Sequence, residues 1–305
     1  MAIVTPPLLK ALFTGFLNTF QGALQSAPTQ YEKIATVVPS TSASNTYGWL
    51  GQFPDLQEWI GERQLKDMAA YGYAITNKLY EGSVSVKRTD IEDDNVGVYT
   101  PLFQEMGLSA ARYPDKHSFG ILKVGQSTLC FDGQNFFDID HPVYPNTDGT
   151  GTPQNVSNLL TPGSGAVAPW YLLDTSRAVK PIIFQKRSSP ELTAMQSNED
   201  ESVFMKDIYR YGVRARSNVG FGFWQMAVCS TKPLTKASFE EAYDLMRGFK
   251  GDGGIPLNIT PTILVCPTVH RSAANEVIKV ARMANGADNP NYNLVEVLDS
   301  AWVNA

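Results

Sequence analysis

The first part of the chain repeats apolar residues at the spacing of one helix face. These residues are Leu8, Leu9, Leu12, Phe13, Phe16, Leu17 and Phe20. The pattern predicts an amphipathic N-terminal helix. The segment Gln21–Ser44 that follows is rich in Ser, Thr and Ala, and such a segment buries little surface of its own. We therefore expect residues 1–48 to form an arm that becomes ordered by packing on a partner molecule.

Between residues 49 and 90 the pattern changes to that of strands. Apolar residues from Tyr71 to Val86 alternate with small or polar ones, which predicts an extended β-hairpin. A long two-stranded hairpin is marginally stable alone, so it should lie on a neighbouring molecule. The candidate contact residues near its start are apolar: Trp49, Phe53, Trp59 and Ile60. Packing within their own subunit is the alternative, above all for Trp49.

Residues 91–125 carry the longest helical pattern of the chain. The acidic run around Asp93 offers N-cap chemistry, and the apolar face extends from Val98 to Ala110. Pro114 should break or kink this helix, with Asp115 capping a second piece. Pro114 and Gly120 are candidate flexure points.

The remaining chain divides into three blocks by composition. Residues 126–168 are rich in Gly, Pro, Asn and Thr, which predicts surface loops. Residues 169–234 contain apolar and alternating runs, which predict strands. Residues 235–305 switch between helical and strand patterns, so we expect an α/β segment there. The whole chain therefore belongs to the α+β class.

The densest basic and aromatic stretch surrounds three arginines, Arg210, Arg214 and Arg216, in an alternating segment. Nucleic-acid contact is one interpretation of such a stretch. The pattern favours arginines on one strand face that pair with acids of a neighbouring molecule.

Charge and cysteine content narrow the classes of function. The net charge is -5, which argues against a protein that binds nucleic acid by neutralising phosphates. The three cysteines show no CxxC spacing, so neither a disulfide framework nor a thiolate zinc site is indicated. The apolar N-terminal stretch lacks a cationic start and is too short and interrupted to span a bilayer.

Catalytic chemistry has one local candidate. Asp138, Asp140 and His141 lie together in the string FFDIDHPVYPN, where carboxylates and an imidazole could serve a hydrolase. The triplet lies in a proline-rich loop and lacks a known catalytic spacing, so a structural role is favoured. We expect no catalytic, cofactor or metal site.

Several long strings are similar to those of one known family. They are APTQYEKIA, NTYGWLG, FPDLQEWIG, IEDDNVGVY, FQEMG, CFDGQNFFDIDHPVYPN, WYLLDTSRAVKP, GFGFWQMAV and FKGDGG. In this order they resemble the Mu-like phage major head subunit family. The resemblance implies a Hong Kong 97-type capsid fold with an N-terminal arm, an extended loop, a peripheral domain with a spine helix, and an axial domain. The arm would be residues 1–48, the loop 49–90 and the spine helix 91–125. Residues 169–234 would supply the peripheral sheet and adjoining structure, and residues 126–168 and 235–305 mainly the axial domain.

The resemblance also implies a function. The chain would be a major capsid protein that assembles into hexamers and pentamers of an icosahedral head around double-stranded DNA, without sequence-specific binding. Its partners would be itself, a separate scaffolding protein, a portal and a decoration protein, with no membrane. It would reside in the virion, and in the host cytoplasm during assembly. The alternatives are the hydrolase above and another phage structural protein, such as a tail protein.

Overall fold

The computed structural model describes residues 4–50, 72–93, 95–197, 199–283 and 285–304. The helices are α1 (Pro6–Ser26), α2 (Tyr31–Ile34), α3 (Arg88–Glu92), α4 (Thr100–Lys123), α5 (Glu201–Lys206), α6 (Lys236–Arg247) and α7 (Arg271–Ile278). The strands are β1 (Ala35–Pro39), β2 (Ser44–Thr46), β3 (Ala74–Thr76), β4 (Lys78–Lys87), β5 (His141–Val143), β6 (Gln154–Val156), β7 (Leu159–Leu160), β8 (Trp170–Leu173), β9 (Ile182–Met195), β10 (Ile208–Phe221), β11 (Ala227–Ser230), β12 (Ile263–Cys266) and β13 (Glu296–Asp299).

The predicted N-terminal helix is present, but its partner is its own chain. The Thr5 side chain accepts a hydrogen bond from the Leu8 N–H and so caps α1. Phe16 is buried and stacks on Phe103 of α4, with ring centroids 4.1 Å apart. The same ring meets Tyr211 of β10 edge-on at 5.5 Å. The expectation that this helix needs a partner molecule is therefore wrong.

The rest of the arm is also held by the subunit itself. β1 pairs in parallel with β9, so that Ala35 lies opposite Ile182. The backbone of this polar segment gains a strand partner that composition alone could not indicate, because ladder hydrogen bonds do not depend on side-chain type. For the described residues of the arm, the predicted dependence on a neighbour is corrected.

A four-stranded sheet with the order β1-β9-β10-β4 organises this half of the subunit. One face packs against α1 and α4, with Tyr209, Tyr211 and Val86 fully buried. The other face carries the exposed side chains of Arg210 and Arg214. The period of two along β10 thus separates a core face from an uncovered face.

The long helix differs from its prediction in where it begins and in its continuity through Pro114. α4 begins at Thr100, after a short α3 and a 3-10 turn at Val96–Tyr99, and it continues through Pro114 to Lys123. The predicted division at Pro114 is wrong. Asp115 caps α2 instead, since its Oδ1 accepts hydrogen bonds from the N–H groups of Gln30 at 2.9 Å and Tyr31 at 2.7 Å. Pro114 is buried at the same place, and packing there outweighs the local preference against proline.

The Asp115 carboxylate gives a testable contribution to stability. Burial raises its pKa, although the hydrogen bonds from Gln30 and Tyr31 act in the opposite direction. We expect Asp115→Ala to lower the free energy of unfolding by about 2 kcal/mol, because two backbone N–H groups lose their acceptor. Asp115→Asn keeps an acceptor oxygen and removes the buried charge, so it should change stability much less. Equal losses in both variants, measured by urea unfolding at pH 7, would contradict the capping role.

The predicted β block, residues 169–234, divides between two sheets. β9 and β10 belong to the four-stranded sheet, whereas β8 and β11 belong to a five-stranded sheet with the order β13-β12-β8-β11-β7. The block therefore supplies strands to both sheets. The helices α6 and α7 contact this second sheet. α6 begins with a capping box in which the Thr235 and Ser238 side chains bond each other's backbone N–H groups.

The described ends of the predicted hairpin pair with other elements. β3 pairs with β2, and β4 pairs with β10 along its whole length. The alternation that predicted strands there is confirmed for these residues. Residues 51–71, which include most of the predicted loop, lie outside the described residues. Among the helices of the described ranges, none combines the length and apolar character needed to cross a membrane.

Candidate assembly surfaces and a buried polar cluster

The three predicted arginines lie together on the uncovered face of the four-stranded sheet. In the register with β4, Arg210 lies opposite Ser85, Arg214 opposite Glu81 and Arg216 opposite Leu79. Arg210 and Arg214 are exposed and Arg216 is half-buried. Within the described ranges none of the three forms an ion pair. We call Arg210, Arg214 and Arg216 the arginine stripe.

Trp49 is placed against its own subunit. Its ring lies 5.9 Å from that of Tyr47 and 5.9 Å from that of Phe223, and the side chain is half-buried. This geometry supports the alternative that Trp49 packs within its own core. The other three candidates from the loop, Phe53, Trp59 and Ile60, lie outside the described residues.

The candidate hydrolase loop contains a buried polar cluster with a different membership from the one predicted. His141 is fully buried and stacks on Trp224 with ring centroids 4.1 Å apart. Its Nδ1 lies 2.7 Å from Oδ2 of Asp132, and the Cys130 thiol bonds Oδ1 of the same carboxylate at 3.0 Å. The Gln134 N–H donates to that oxygen as well. Cys130, Asp132 and His141 therefore form one hydrogen-bonded group, which we call the Cys–Asp–His cluster.

The electrostatics of this cluster oppose nucleophilic chemistry. Burial, together with the Asp132 charge, raises the pKa of the Cys130 thiol well above its usual value. The thiol thus stays protonated near neutral pH, and the thiolate is the nucleophilic form. Burial raises the pKa of Asp132, but the bonds from His141, Cys130 and the Gln134 backbone outweigh it and hold that pKa below its usual value.

Metal binding is the other chemistry that these residue types allow. One ligand atom from each residue of the Cys–Asp–His cluster falls within 4.8 Å of the others. However, the thiol and Nδ1 are already directed at the carboxylate, and a thiolate ligand would have to form against the raised pKa of Cys130. The arrangement fits an internal brace of the loop better than a metal centre.

Asp138, one of the two acids that were predicted beside His141, forms its hydrogen bonds elsewhere. The Asp138 carboxylate accepts from the N–H groups of Asn135 and Ile139, which closes a turn. Its backbone N–H donates to Asn158 Oδ1. The His141 imidazole is fully buried and its Nδ1 faces Asp132, so the hydrolase alternative is not supported.

Cys130 and Asp132 were missed by the sequence argument although they stand in the same string as His141. The hydrolase hypothesis used Asp138 and Asp140 because they are the acids nearest to His141 in sequence. The link to Asp132 depends on the turn at Gly133, which has a φ of 85°, a backbone conformation that favours glycine. In the string CFDGQNFF a glycine directly follows Asp132, and such a glycine is typical of a tight turn. This feature of the sequence could have indicated that the chain turns back at Asp132.

Comparison with known proteins places this fold. Residues 9–303 match the family model "Mu-like prophage major head subunit gpT". The major capsid protein of Escherichia phage Mu is 51% identical over 284 residues, covering 93% of each chain. The Mu-like prophage FluMu major head subunit of Haemophilus influenzae is 50% identical over 92% of this chain and 91% of that protein.

Solved structures agree with these relatives. The chain in the procapsid of bacteriophage JBD30 is 62% identical to this chain. The superposition covers 98% of this chain and 100% of the procapsid chain, with a TM-score of 0.87. The chain of the bacteriophage JBD30 capsid is 46% identical, covers 99% of this chain and 100% of its own, and gives a TM-score of 0.79.

The fold, with its four-stranded and five-stranded sheets and its long helix, is the α+β capsid fold of the Hong Kong 97 type, and its solved relatives are structural subunits of a phage head. The chain belongs to the Mu-like prophage major head subunit gpT family. It is therefore a major capsid protein, a component of the virion that assembles with copies of itself, and not an enzyme. A tail protein is not supported.

Proposed function

We propose that copies of this chain form the hexamers and pentamers of an icosahedral head that encloses double-stranded DNA. The observation that carries the proposal is the TM-score of 0.87 with the JBD30 procapsid chain over 98% of this chain. Different patches of one subunit meet in such rings, which makes the interfaces heterologous. Obligate interfaces of this kind bury more than about 2,000 Å².

The charge of the chain suits a container for DNA. With a net charge of -5, the protein lacks the excess of cations that drives strong, salt-dependent binding to phosphates. DNA inside such a wall stays mobile enough to be packaged and released. The arginine stripe is therefore assigned to protein contacts between subunits, together with Phe53, Trp59 and Ile60 of the loop.

Further partners follow from the same proposal. A separate scaffolding protein would guide assembly in the host cytoplasm, and a portal would occupy one vertex. One JBD30 capsid is described as decorated with minor capsid protein trimers, which supports a decoration partner here as well. Residues 1–48 and 49–90 would act as arm and extended loop, and α4 as the spine helix, with the sheet of β9 and β10 in the peripheral domain and the second sheet in the axial domain.

A change of shape between particle forms belongs to the proposal. The TM-score is 0.87 with the procapsid chain and 0.79 with the capsid chain of the same phage, which supports two subunit conformations. Pro114 and Gly120 of α4 are the proposed flexure points. The main-chain bond that Pro114 cannot donate, and the missing side chain of Gly120, make the helix easier to bend there.

Two tryptophan variants separate assembly from folding. Trp59→Ala is expected to leave soluble, folded subunits but at least tenfold fewer shells by negative-stain electron microscopy, because an interface anchor is lost. Trp49→Ala should instead lower the stability of the isolated subunit by about 2 kcal/mol, since Trp49 packs on Phe223 of its own chain. Normal particle yield from Trp59→Ala would refute the anchor role.

The overall function is tested by expressing the full chain with the neighbouring phage genes and imaging the product. Closed isometric shells are expected. Tubes, or soluble monomers at every protein concentration, would contradict the proposed function.

A further inference from the structure

The connection between β9 and β10 carries an apolar group with no cover in the subunit. The short helix α5 is anchored by Ser202 and Val203, which are 4% and 5% exposed. The next two side chains point away from the body, with Phe204 81% and Met205 69% exposed. An apolar pair this exposed at the end of a sheet is typical of a contact site between proteins.

Acidic side chains precede this apolar pair in the chain, and the exposed Lys206 directly follows it. Glu199 and Glu201 are exposed directly before it. Within the described ranges neither glutamate forms an ion pair. We call Glu199, Glu201, Phe204 and Met205 the acidic tip.

The arginine stripe has the complementary composition. It adds exposed positive charge from Arg210 and Arg214, and the apolar Leu79 beside Arg216 is 58% exposed. Glu81 and Glu191 lie on the two sides of Arg214 in the register and reduce the positive charge of this face. Lys87 of β4 lies opposite Ile208, beside the Arg210 end, and adds to that charge. The face therefore keeps a positive excess with apolar surface at its edge.

The acidic tip cannot reach all three arginines of the arginine stripe in its own subunit. Arg210 and Arg216 are six positions apart on one extended strand, which separates them by about 20 Å. The tip lies beyond the Arg210 end of β10, because α5 precedes that strand. A second copy, offset along the sheet, can place its tip over Arg214 and Arg216.

We infer that the acidic tip of one subunit docks on the arginine stripe of an adjacent copy in the shell. Two different patches take part, so the contact is heterologous and can repeat around a ring. Burial of Phe204 against Leu79 would supply apolar area, and the opposed charges would set orientation and exclude wrong registers. The inference rests on the proposed function and names the two surfaces that one of its interfaces uses.

Charge reversal tests the pairing directly in the full chain expressed for particle assembly. The variant Glu199→Lys/Glu201→Lys and the variant Arg214→Glu/Arg216→Glu should each reduce particle yield at least tenfold. The variant that combines all four substitutions restores opposite charges across the contact, and its yield should return to within about threefold of the native chain. Sedimentation and negative-stain images give the yields.

Side-chain truncation provides a second measurement with a matched control. Phe204→Ser should lose particles while the thermal midpoint of the subunit stays unchanged, because the side chain is exposed. Phe204→Leu keeps an apolar group and should retain most of the yield. The inference would be overturned if both double variants gave native yields, or if the variant with all four substitutions assembled no better than either double variant. Either result would leave the proposed function intact. A native chain that forms no particles would overturn both.

Discussion

His141→Leu is expected to destabilise the subunit by about 3 kcal/mol, a large part of the free energy of unfolding of an ordinary domain. The substitution leaves the Asp132 carboxylate, whose side chain is 4% exposed, without its imidazole partner. Removing the imidazole costs this much because the buried Asp132 carboxylate loses a hydrogen-bond partner while its charge stays desolvated. Domains of ordinary stability have only about 5–15 kcal/mol in total. Soluble yield and the urea midpoint measure the effect.

A second substitution distinguishes the loss of a hydrogen-bond partner for the Asp132 carboxylate from simple misfit of the leucine side chain. Asp132→Asn in the His141→Leu background removes the stranded charge and should recover a large part of the stability. Acid unfolding provides an independent check. Because the pKa of Asp132 is held below its usual value, its contribution is present above about pH 4 and is lost as the pH falls through the folded-state pKa. The Asp132→Asn variant should lack this loss; an unchanged acid profile would contradict the pairing.

Gly107→Val is expected to detach α1 from α4 and to lower the free energy of unfolding by about 3 kcal/mol. A Cβ at Gly107 would lie 2.8 Å from the Cβ of Ala23 and nearer still to the Phe20 carbonyl oxygen. Since the second contact is backbone, the helices must separate, and overpacking of this kind costs about 1–3 kcal/mol or more. Limited proteolysis should cut the chain before residue 30 much faster than in the native subunit.

The matched control uses the same substitution in the same helix. At Gly120 a Cβ would meet nothing within 4 Å. Gly120→Val should therefore change stability by less than about 0.5 kcal/mol, because surface substitutions without steric conflict usually stay within that range. Equal protease resistance of the two variants would show that the close approach of α1 and α4 is not required.

Sequence patterns predicted the elements well where one period dominates a segment. The spacing of Phe16 and Phe20 predicted an amphipathic α1, and both side chains are buried. The pattern could define which face is apolar but not what covers it. Phe103 and Tyr211, which meet Phe16, are distant in sequence, so the arm was assigned to a neighbour.

Local rules failed where tertiary packing decides. Pro114 normally ends a helix, yet α4 continues through it beside the Asp115 contacts to α2. The run WYLL of β8 and the run IIF of β9 have the same buried apolar character, although they belong to different sheets. Periodicity identifies a strand, whereas sheet membership depends on long-range pairing. For the same reason the sequence could not show that Asp132 is the carboxylate that contacts His141, and the prediction named Asp138 and Asp140.

The parallel pairing of β1 also orders events during protein synthesis. Ala35 pairs with Ile182, 147 residues later in the chain. At translation rates of about 5–20 residues per second, β1 waits roughly 7–30 s for its partner to leave the ribosome. The edge of the four-stranded sheet therefore forms late in translation. Nascent chains lack a finished edge during that interval, which delays their recruitment into growing particles until β9 has been synthesised.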